Sequence, residues 1–345
     1  MNSEEILILK QALANTSNIV IVGHKNPDGD AIGSCLGLAN FLKQLEHQVT
    51  VVMPNDFPEF LKWIPETQTI INYEQHRDNV KNCLSEANLV FTLDFNALNR
   101  TGDLAQELMT TKADFILIDH HQEPDDYALV TYSDVGMSST SEMVYHFIEF
   151  IGGLNLLNKE IATQLYVGIM TDTGSFRFPA TTAATHRVIA HLIEAGAPNS
   201  IIHQNVYDTN SPDRLKLLGV ALKNMVMLPE YKTAYITMSQ EELNNNNFKK
   251  GDTEGFVNYA LSLSDVVFAI IFIENKKEKI DSMPGIERLS IDQLLIEAKE
   301  IVDLKIQAIA LFPVISPENP DGRLESVPGR VPEWSGPGDW QCRFR

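Results

Sequence analysis

The chain has 345 residues, 44% of them hydrophobic, which suits two domains with real cores and excludes a globally disordered protein. Its net charge of −19 excludes a protein that coats duplex DNA through a basic surface, but not one that holds a small phosphorylated ligand through divalent cations. No apolar run is long enough to cross a bilayer and the opening Met1-Asn2-Ser3-Glu4-Glu5 is acidic, while Cys35, Cys83 and Cys342 are too scattered for a disulfide framework or a zinc knuckle, so a cytoplasmic setting is expected.

In chain order, residues 1–15 carry Ile6, Leu7, Leu9 and Leu13 at helical spacing. Residues 18–23 form a β-branched run ending in Gly23, read as a buried strand, and residues 31–45 are apolar at helical spacing. Strands are predicted at 48–53, 89–93 and 115–118, with helices between them. The alternation implies an α/β fold with a mostly parallel, five-stranded, Rossmann-like sheet covered by helices on both faces. Helices follow at 138–151, 159–171 and 182–195, and a helical or linker stretch runs to 227. A smaller α/β domain then begins, with strands at 231–238 and 266–273 and a surface loop at the asparagine run 244–247. A helix at 290–304 and a strand at 308–314 are predicted beyond it, and 316–345 is Pro/Gly-rich and expected to be disordered. The expected division is therefore a first domain at 1–196, a linker at 197–227, a smaller second domain at 228–275 and an atypical tail at 276–345.

Four places along the chain carry chemistry. His24-Lys25-Asn26-Pro27-Asp28-Gly29-Asp30 packs an imidazole and two carboxylates into one turn between a strand and a helix. Asp94 directly follows the third strand, and Asp119-His120-His121 ends the fourth, both at the carboxyl ends where parallel sheets bind ligands. Asp172 closes a helix whose face carries Ile161, Leu165 and Ile169, a place where the helix dipole disfavours an acid. Each has an ordinary alternative: Asp28 or Asp30 as a helix cap, Asp94 as a cap, Asp172 in an Asx turn before Gly174. Together they make the ligand inventory of two cations about 3.5–4 Å apart that share a carboxylate.

In order and type, these residues resemble the four motifs of the DHH phosphoesterase superfamily, and over residues 1–275 the chain is similar to its bacterial branch that degrades nanoRNA and dephosphorylates 3′-phosphoadenosine 5′-phosphate. The resemblance implies two divalent cations, Mn²⁺ by preference. His24, Asp28 and Asp94 would hold one; Asp30, Asp94, His120 and Asp172 would hold the other. It gives catalytic roles to Asp94 as the bridge, Asp119 as the orienter of a neighbour and His121 as a contact to the scissile phosphate during in-line attack by water. Ser139-Thr140-Ser141 matches a hydroxyl-rich stretch of the family, so Ser139 and Thr140 are candidate substrate contacts at a helix N-terminus. Arg100, Arg177 and Arg214 are further candidates, for a second phosphate or a 5′ end. The expected partner is short single-stranded RNA or a small nucleotide, with neither duplex DNA nor membrane, and a homodimer is admitted. Motifs alone do not separate this activity from that of a cyclic-dinucleotide or pApA phosphodiesterase, or of a pyrophosphatase-like hydrolase.

The chain departs from the branch at its end. The second domain starts with Gly255-Phe256-Val257-Asn258 and Val266-Val267-Phe268-Ala269-Ile270, but the Gly-Gly-Gly-His element that binds substrate in the branch is missing and the resemblance stops after Glu274. Residues 282–316 instead resemble the amino-terminal part of porphobilinogen synthase, too short to bring that enzyme's barrel or lysines. A chimaeric C-terminus is the simplest account, and it raises a reading of another class: a catalytically impaired metal- or nucleotide-binding module.

Overall fold

The computed structural model describes residues 1, 3–249, 251–274 and 341–344. They divide into two compact units, Met1–Thr209 and Asn210–Arg345. In chain order the first contains α1 (Ser3–Ala12), β1 (Asn18–Val22), α2 (Gly29–Gln44), β2 (Gln48–Met53), β3 (Ile71–Asn72), α3 (Arg77–Glu86), β4 (Leu89–Leu93), α4 (Leu104–Thr110), β5 (Asp114–Asp119) and β6 (Val130–Ser133). The helices α5 (Thr140–Ile151), α6 (Lys159–Asp172), α7 (Ala183–Glu194) and α8 (Asn199–Tyr207) complete it. The sheet order is β3-β2-β1-β4-β5-β6 and every pairing in it is parallel.

The alternation of side chains along each strand builds two cores. Ile19, Ile21, Val51, Met53, Phe91 and Ile116 join one cluster with the apolar residues of α2, α5 and α6. Val20, Val22, Val52 and Val90 point the other way, against Val80 and Leu84 of α3 and Leu104 and Leu108 of α4. Helices therefore cover both faces, which is why these strands read as continuous apolar runs.

The sheet has six strands where five were expected and four were located. The two without a predicted range are short: Ile71–Asn72 spans two residues, and Val130–Ser133 follows a polar stretch, so neither gave a periodic signal. The helix expected at 31–45 starts earlier, at Gly29, because the Asp28 side chain caps it.

One contact within the first unit places the site. Gly29, Gly33 and Gly37 lie four residues apart along α2 and face α6. A Cβ at Gly33 would stand 2.5 Å from the Gln164 carbonyl oxygen, and one at Gly37 would stand 2.5 Å from Leu165 Cδ2. Only bare glycine lets these antiparallel helices approach so closely, and the approach sets the N-terminus of α2 beside the C-terminus of α6.

The second unit contains α9 (Pro212–Lys223), β7 (Val226–Leu228), β8 (Thr233–Met238), α10 (Gln240–Asn245), α11 (Phe256–Leu261), β9 (Phe268–Ile273) and β10 (Gln341–Phe344), with its sheet ordered β10-β9-β8-β7. Ala234, Ile236 and Met238 of β8 alternate into a core with Leu217, Phe256, Val257 and Ile271. The loop expected at 244–247 is partly helix: Ser239 and Glu242 form a capping box that carries α10 through Asn245. The tail expected to be disordered supplies β10, which pairs antiparallel with β9 and so satisfies the backbone groups of that edge. The helix and strand predicted at 290–304 and 308–314 lie outside the described residues. Among the described residues no helix is long and apolar enough to cross a membrane.

Gly33→Ala tests the helix contact. Forcing a methyl group against the α6 backbone should cost about 1–3 kcal/mol of stability, read from the urea midpoint. A substituted protein with the wild-type midpoint would show that the two helices separate freely.

Candidate active site

Every candidate metal ligand lies on a segment that leaves the sheet at its carboxyl edge or faces that edge. The turn after β1 carries His24, Asp28 and Asp30. Asp28 Oδ1 accepts from the Asp30 and Ala31 amides at 3.0 and 3.1 Å, so it caps α2 while lying 3.9 Å from His24 Nε2. Asp94 follows β4 with φ +66, a left-handed conformation unusual for a residue with a side chain, and is 2% exposed. His120 and His121 follow β5, and Asp172 is the last residue of α6.

These side chains converge. Three groups have ligand atoms all within 4.8 Å of one another: His24 with Asp28 and Asp94, Asp30 with His120 and Asp172, and Asp94 with His120 and His121. Asp94 stands between the first two. Its Oδ2 is 3.5 Å from His24 Nε2 and its Oδ1 is 3.6 Å from His120 Nε2, which in turn is 3.6 Å from Asp172 Oδ2. His24 Nδ1 lies 2.9 Å from the Lys25 carbonyl, so that nitrogen carries a hydrogen and Nε2 is turned toward the carboxylates, which favour a proton or a cation there. His121 Nδ1 lies 2.6 Å from Asp119 Oδ1, and Asp119 is fully buried.

The N-terminus of α5 holds the cluster from behind. The Thr140 and Ser141 amides donate to the two oxygens of Asp30 at 2.7 and 2.8 Å, and the Thr140 hydroxyl donates to Asp94 at 3.0 Å. This corrects the expectation for Ser139 and Thr140. Both are fully buried, and Ser139 caps α5 by accepting from the Glu142 amide. The Thr140 amide and hydroxyl serve the aspartates of the site, and the Ser139 hydroxyl serves the helix.

Sequence reasoning overlooked Glu142. It is 2% exposed, and its carboxylate accepts from the Ser138 and Thr185 hydroxyls, which ties the first turn of α5 to α7. The pattern Ser139-x-x-Glu142 is that of a capping box and could have flagged it.

The arginines divide. Arg100 is near enough to His121 to oppose its protonation, and its carbonyl receives the Lys25 amide at 2.9 Å. Arg177 is exposed in the turn after α6, its Nε bonded to the Gly174 carbonyl at 2.7 Å. Arg214 is a correction. It belongs to the second unit, where its guanidinium donates to the Asp252 and Glu254 carbonyls and to Asn210 and covers the Phe256 ring, so its fork is spent on structure.

The electrostatics are those of a site short of positive charge. Burial pushes the Asp30 carboxyl well above its usual range, and Asp94, Asp172 and Asp28 add to the shift. Burial also lifts Asp172 to about 7, with repulsion from Asp28 and Asp94 partly offset by His120. Its side chain keeps 31% of its surface exposed, so water screens part of that effect. Asp94 behaves oppositely: burial works against its charge, but His24, His120 and His121 hold it at about 2. Burial likewise opposes the charge on His24, and Asp94 and Asp28 outweigh it, raising that imidazole to about 9. Protons thus stand where cations fit. Carboxylate oxygens and imidazole nitrogens are also the donor mixture that first-row divalent ions accept.

The chain is similar to several known proteins. Residues 18–169 match the model of the DHH family, N-terminal domain, and residues 249–328 match that of Delta-aminolevulinic acid dehydratase. The chain is 33% identical over 207 residues to the Bifunctional oligoribonuclease and PAP phosphatase NrnA of Thermus thermophilus, covering 60% of this chain and 59% of that protein. With the protein of the same name from Bacillus subtilis the identity is 28% over 259 residues, covering 74% of this chain and 77% of that one. The crystal structure of an exopolyphosphatase-related protein from Bacteroides fragilis superposes with a TM-score of 0.78 at 37% identity, covering 79% of this chain and 81% of that one.

The raised groups predict how the metal-free protein responds to pH. Asp172 shifts from 3.8 to about 7 on folding, so the folded form keeps a proton that the unfolded chain has released. That stabilisation is complete below pH 3.8 and is lost as pH rises through 7. His24, raised from 6.5 to about 9, adds a further loss between those values. Melting temperatures in chelator should therefore fall from pH 4 to 9. Asp172→Asn should flatten the part below pH 7, and excess Mn²⁺ should remove the slope. A melting temperature that rises across this range in chelator would contradict the assigned shifts.

Proposed function

Because the chain belongs to the DHH family, we propose that it is a divalent-metal-dependent phosphoric ester hydrolase acting on short oligoribonucleotides and on 3′-phosphoadenosine 5′-phosphate. The observation that carries this reading is the placement of Asp94 between two ligand groups, His24 with Asp28 and Asp30 with His120 and Asp172. The names of the Thermus and Bacillus relatives support the substrates.

His24, Asp28 and Asp94 would hold one cation and Asp30, Asp94, His120 and Asp172 the other. Mn²⁺ is the metal we assign, from the mixture of nitrogen and oxygen donors. Bound divalent cations supply Lewis acidity, activating water and neutralising charge at a phosphoryl group.

The remaining work falls to the chain itself. The α5 amides fix the Asp30 carboxylate, and the Thr140 hydroxyl holds that of Asp94. Asp119 holds the His121 Nδ1 hydrogen and so fixes the tautomer, leaving Nε2 for a phosphoryl oxygen. Burial opposes charge on His121, but the Asp119 hydrogen bond and the Asp94 charge raise its pKa, favouring an imidazolium that stabilises developing negative charge. Arg100 and Arg177 are the remaining candidates to grip a second phosphate.

A second reading is a binding module with impaired turnover. It draws support from residues 249–328, which match another enzyme family where the branch carries its substrate domain.

Initial rates with Mn²⁺ on 3′-phosphoadenosine 5′-phosphate, a dinucleotide, a cyclic dinucleotide and pyrophosphate separate these readings. The first two should be preferred, and Asp94→Ala should lower their rates at least ~1,000-fold, since a bridging ligand serves both cations. A wild-type rate no higher than that of Asp94→Ala would establish the impaired module, and a preference for pyrophosphate would overturn the nucleotide assignment. Asp119→Asn should cost about 10–100-fold in kcat, as removal of a ligand-orienting partner does. Its KM should change less, and the pH profile should lose the limb set by His121.

A further inference from the structure

The turn after β6, the first two turns of α5 and the start of α7 frame a cavity of about 250 Å³ that has no part in the chemistry above. It falls below the roughly 300–1,000 Å³ of small-molecule sites, so it suits an ion and its waters better than an organic ligand. Asp134, Ser138, Glu142, His146 and Thr185 give its wall carboxylates, hydroxyls and an imidazole, and among the described residues no lysine or arginine lines it. The metal ligands assigned above all lie off that wall.

One oxygen of Glu142 is left over. The Ser138 and Thr185 hydroxyls both donate to Oε2, whereas among the described residues no hydrogen bond reaches Oε1, in a side chain that is 2% exposed. A carboxylate set so deep with one oxygen lacking a donor is uncommon in a folded protein and marks a place for a ligand. Oε1 stands 4.0 Å from His146 Nε2. His146 Nδ1 lies 3.0 Å from Glu149 Oε2, so that nitrogen carries a hydrogen, and Nε2 is turned toward Glu142, whose charge favours a proton or a cation there. The spacing chooses between the two. At 4.0 Å a proton on Nε2 makes no hydrogen bond to Oε1, whereas two ligands about 2.1 Å from one ion stand roughly 3–4.2 Å apart. Asp134, exposed on the same wall with its Oδ1 held by the Gly136 amide at 2.9 Å, supplies a second carboxylate.

We propose that this cavity is an accessory site for a divalent cation, with Glu142 Oε1 and His146 Nε2 as its protein ligands, Asp134 as a carboxylate at its rim and water in the remaining positions. Oxygen and imidazole donors together select a first-row ion such as Mn²⁺ or Zn²⁺ over Ca²⁺. The ion positions and does not react. It fastens the first turns of α5, the segment whose Thr140 and Ser141 amides hold Asp30. Met137, also on the cavity wall, sets its carbonyl 3.4 Å from His120 Nδ1. Both links lead to the Asp94 cluster, but the accessory site depends on no reading of what that cluster does.

Equilibrium dialysis of the full chain against Mn²⁺ tests the site. Wild type should hold one more equivalent per chain than either His146→Phe or Glu142→Gln. The first variant keeps a ring against Phe150 and removes both nitrogens, and the second keeps the shape of a buried side chain. His146 is partly exposed, so its variant reports even if Glu142→Gln fails to fold. Asp94→Ala should lose ions from the first cluster and keep the equivalent that depends on His146. Equal stoichiometry in wild type and His146→Phe would overturn the site and leave His146 as an imidazolium between Glu142 and Glu149. An Asp94→Ala protein that loses no further ion when His146→Phe is added would also overturn it, because the counted ion would then belong to the Asp94 cluster.

Discussion

Asp30 and Asp172 are pushed toward their neutral forms by burial and by the carboxylates beside them, while Asp94 is held ionised by the imidazoles around it, and the first unit is arranged around that conflict. Asp28, Asp30, Asp94 and Asp172 meet at the edge of the sheet with His24 and His120 among them. Protons or cations must join them for the arrangement to persist. The fold supplies fixed partial charges: the α5 amides on Asp30, the Thr140 hydroxyl on Asp94 and the start of α2 on Asp28. These dipoles hold the carboxylates in place but do not cancel their charge. The remaining balance is a charge that protons supply in part, through the raised Asp30, Asp172 and His24.

The α/β alternation and the ligand segments were legible in the sequence because strand-then-acid patterns are local. His24 to Asp30 fit within one turn, and Asp119-His120-His121 ends a clear apolar run. The division of labour around them was not legible. Whether the α5 amides serve a substrate or Asp30 depends on a contact between residues 110 apart in sequence, and no periodicity encodes it. The role of Arg214 was hidden for the same reason, since its partners at 252 and 254 lie about forty positions downstream. The glycine spacing 29-33-37 was visible, but its meaning needs α6 as the opposing surface.

The second unit shows a different limit. Its β8 and β9 were legible from alternation and β-branched content, and it closes its sheet with β10 from the far end of the chain. A stretch rich in proline and glycine can still lend a few residues to an open edge, because edge pairing asks for backbone groups rather than for composition.

The distribution of the ligands along the chain has a consequence for biosynthesis. His24, Asp28 and Asp94 have all been synthesised one residue after the fourth strand, whereas the group of Asp30, His120 and Asp172 waits for the end of α6. Asp30 moreover lacks its amide donors until α5 exists. A growing chain that folds from its N-terminus therefore gains its two ion-binding positions in a set order. The later one comes into being only when α6 docks along the glycines of α2, so a half-synthesised chain holds the first group of side chains without the second.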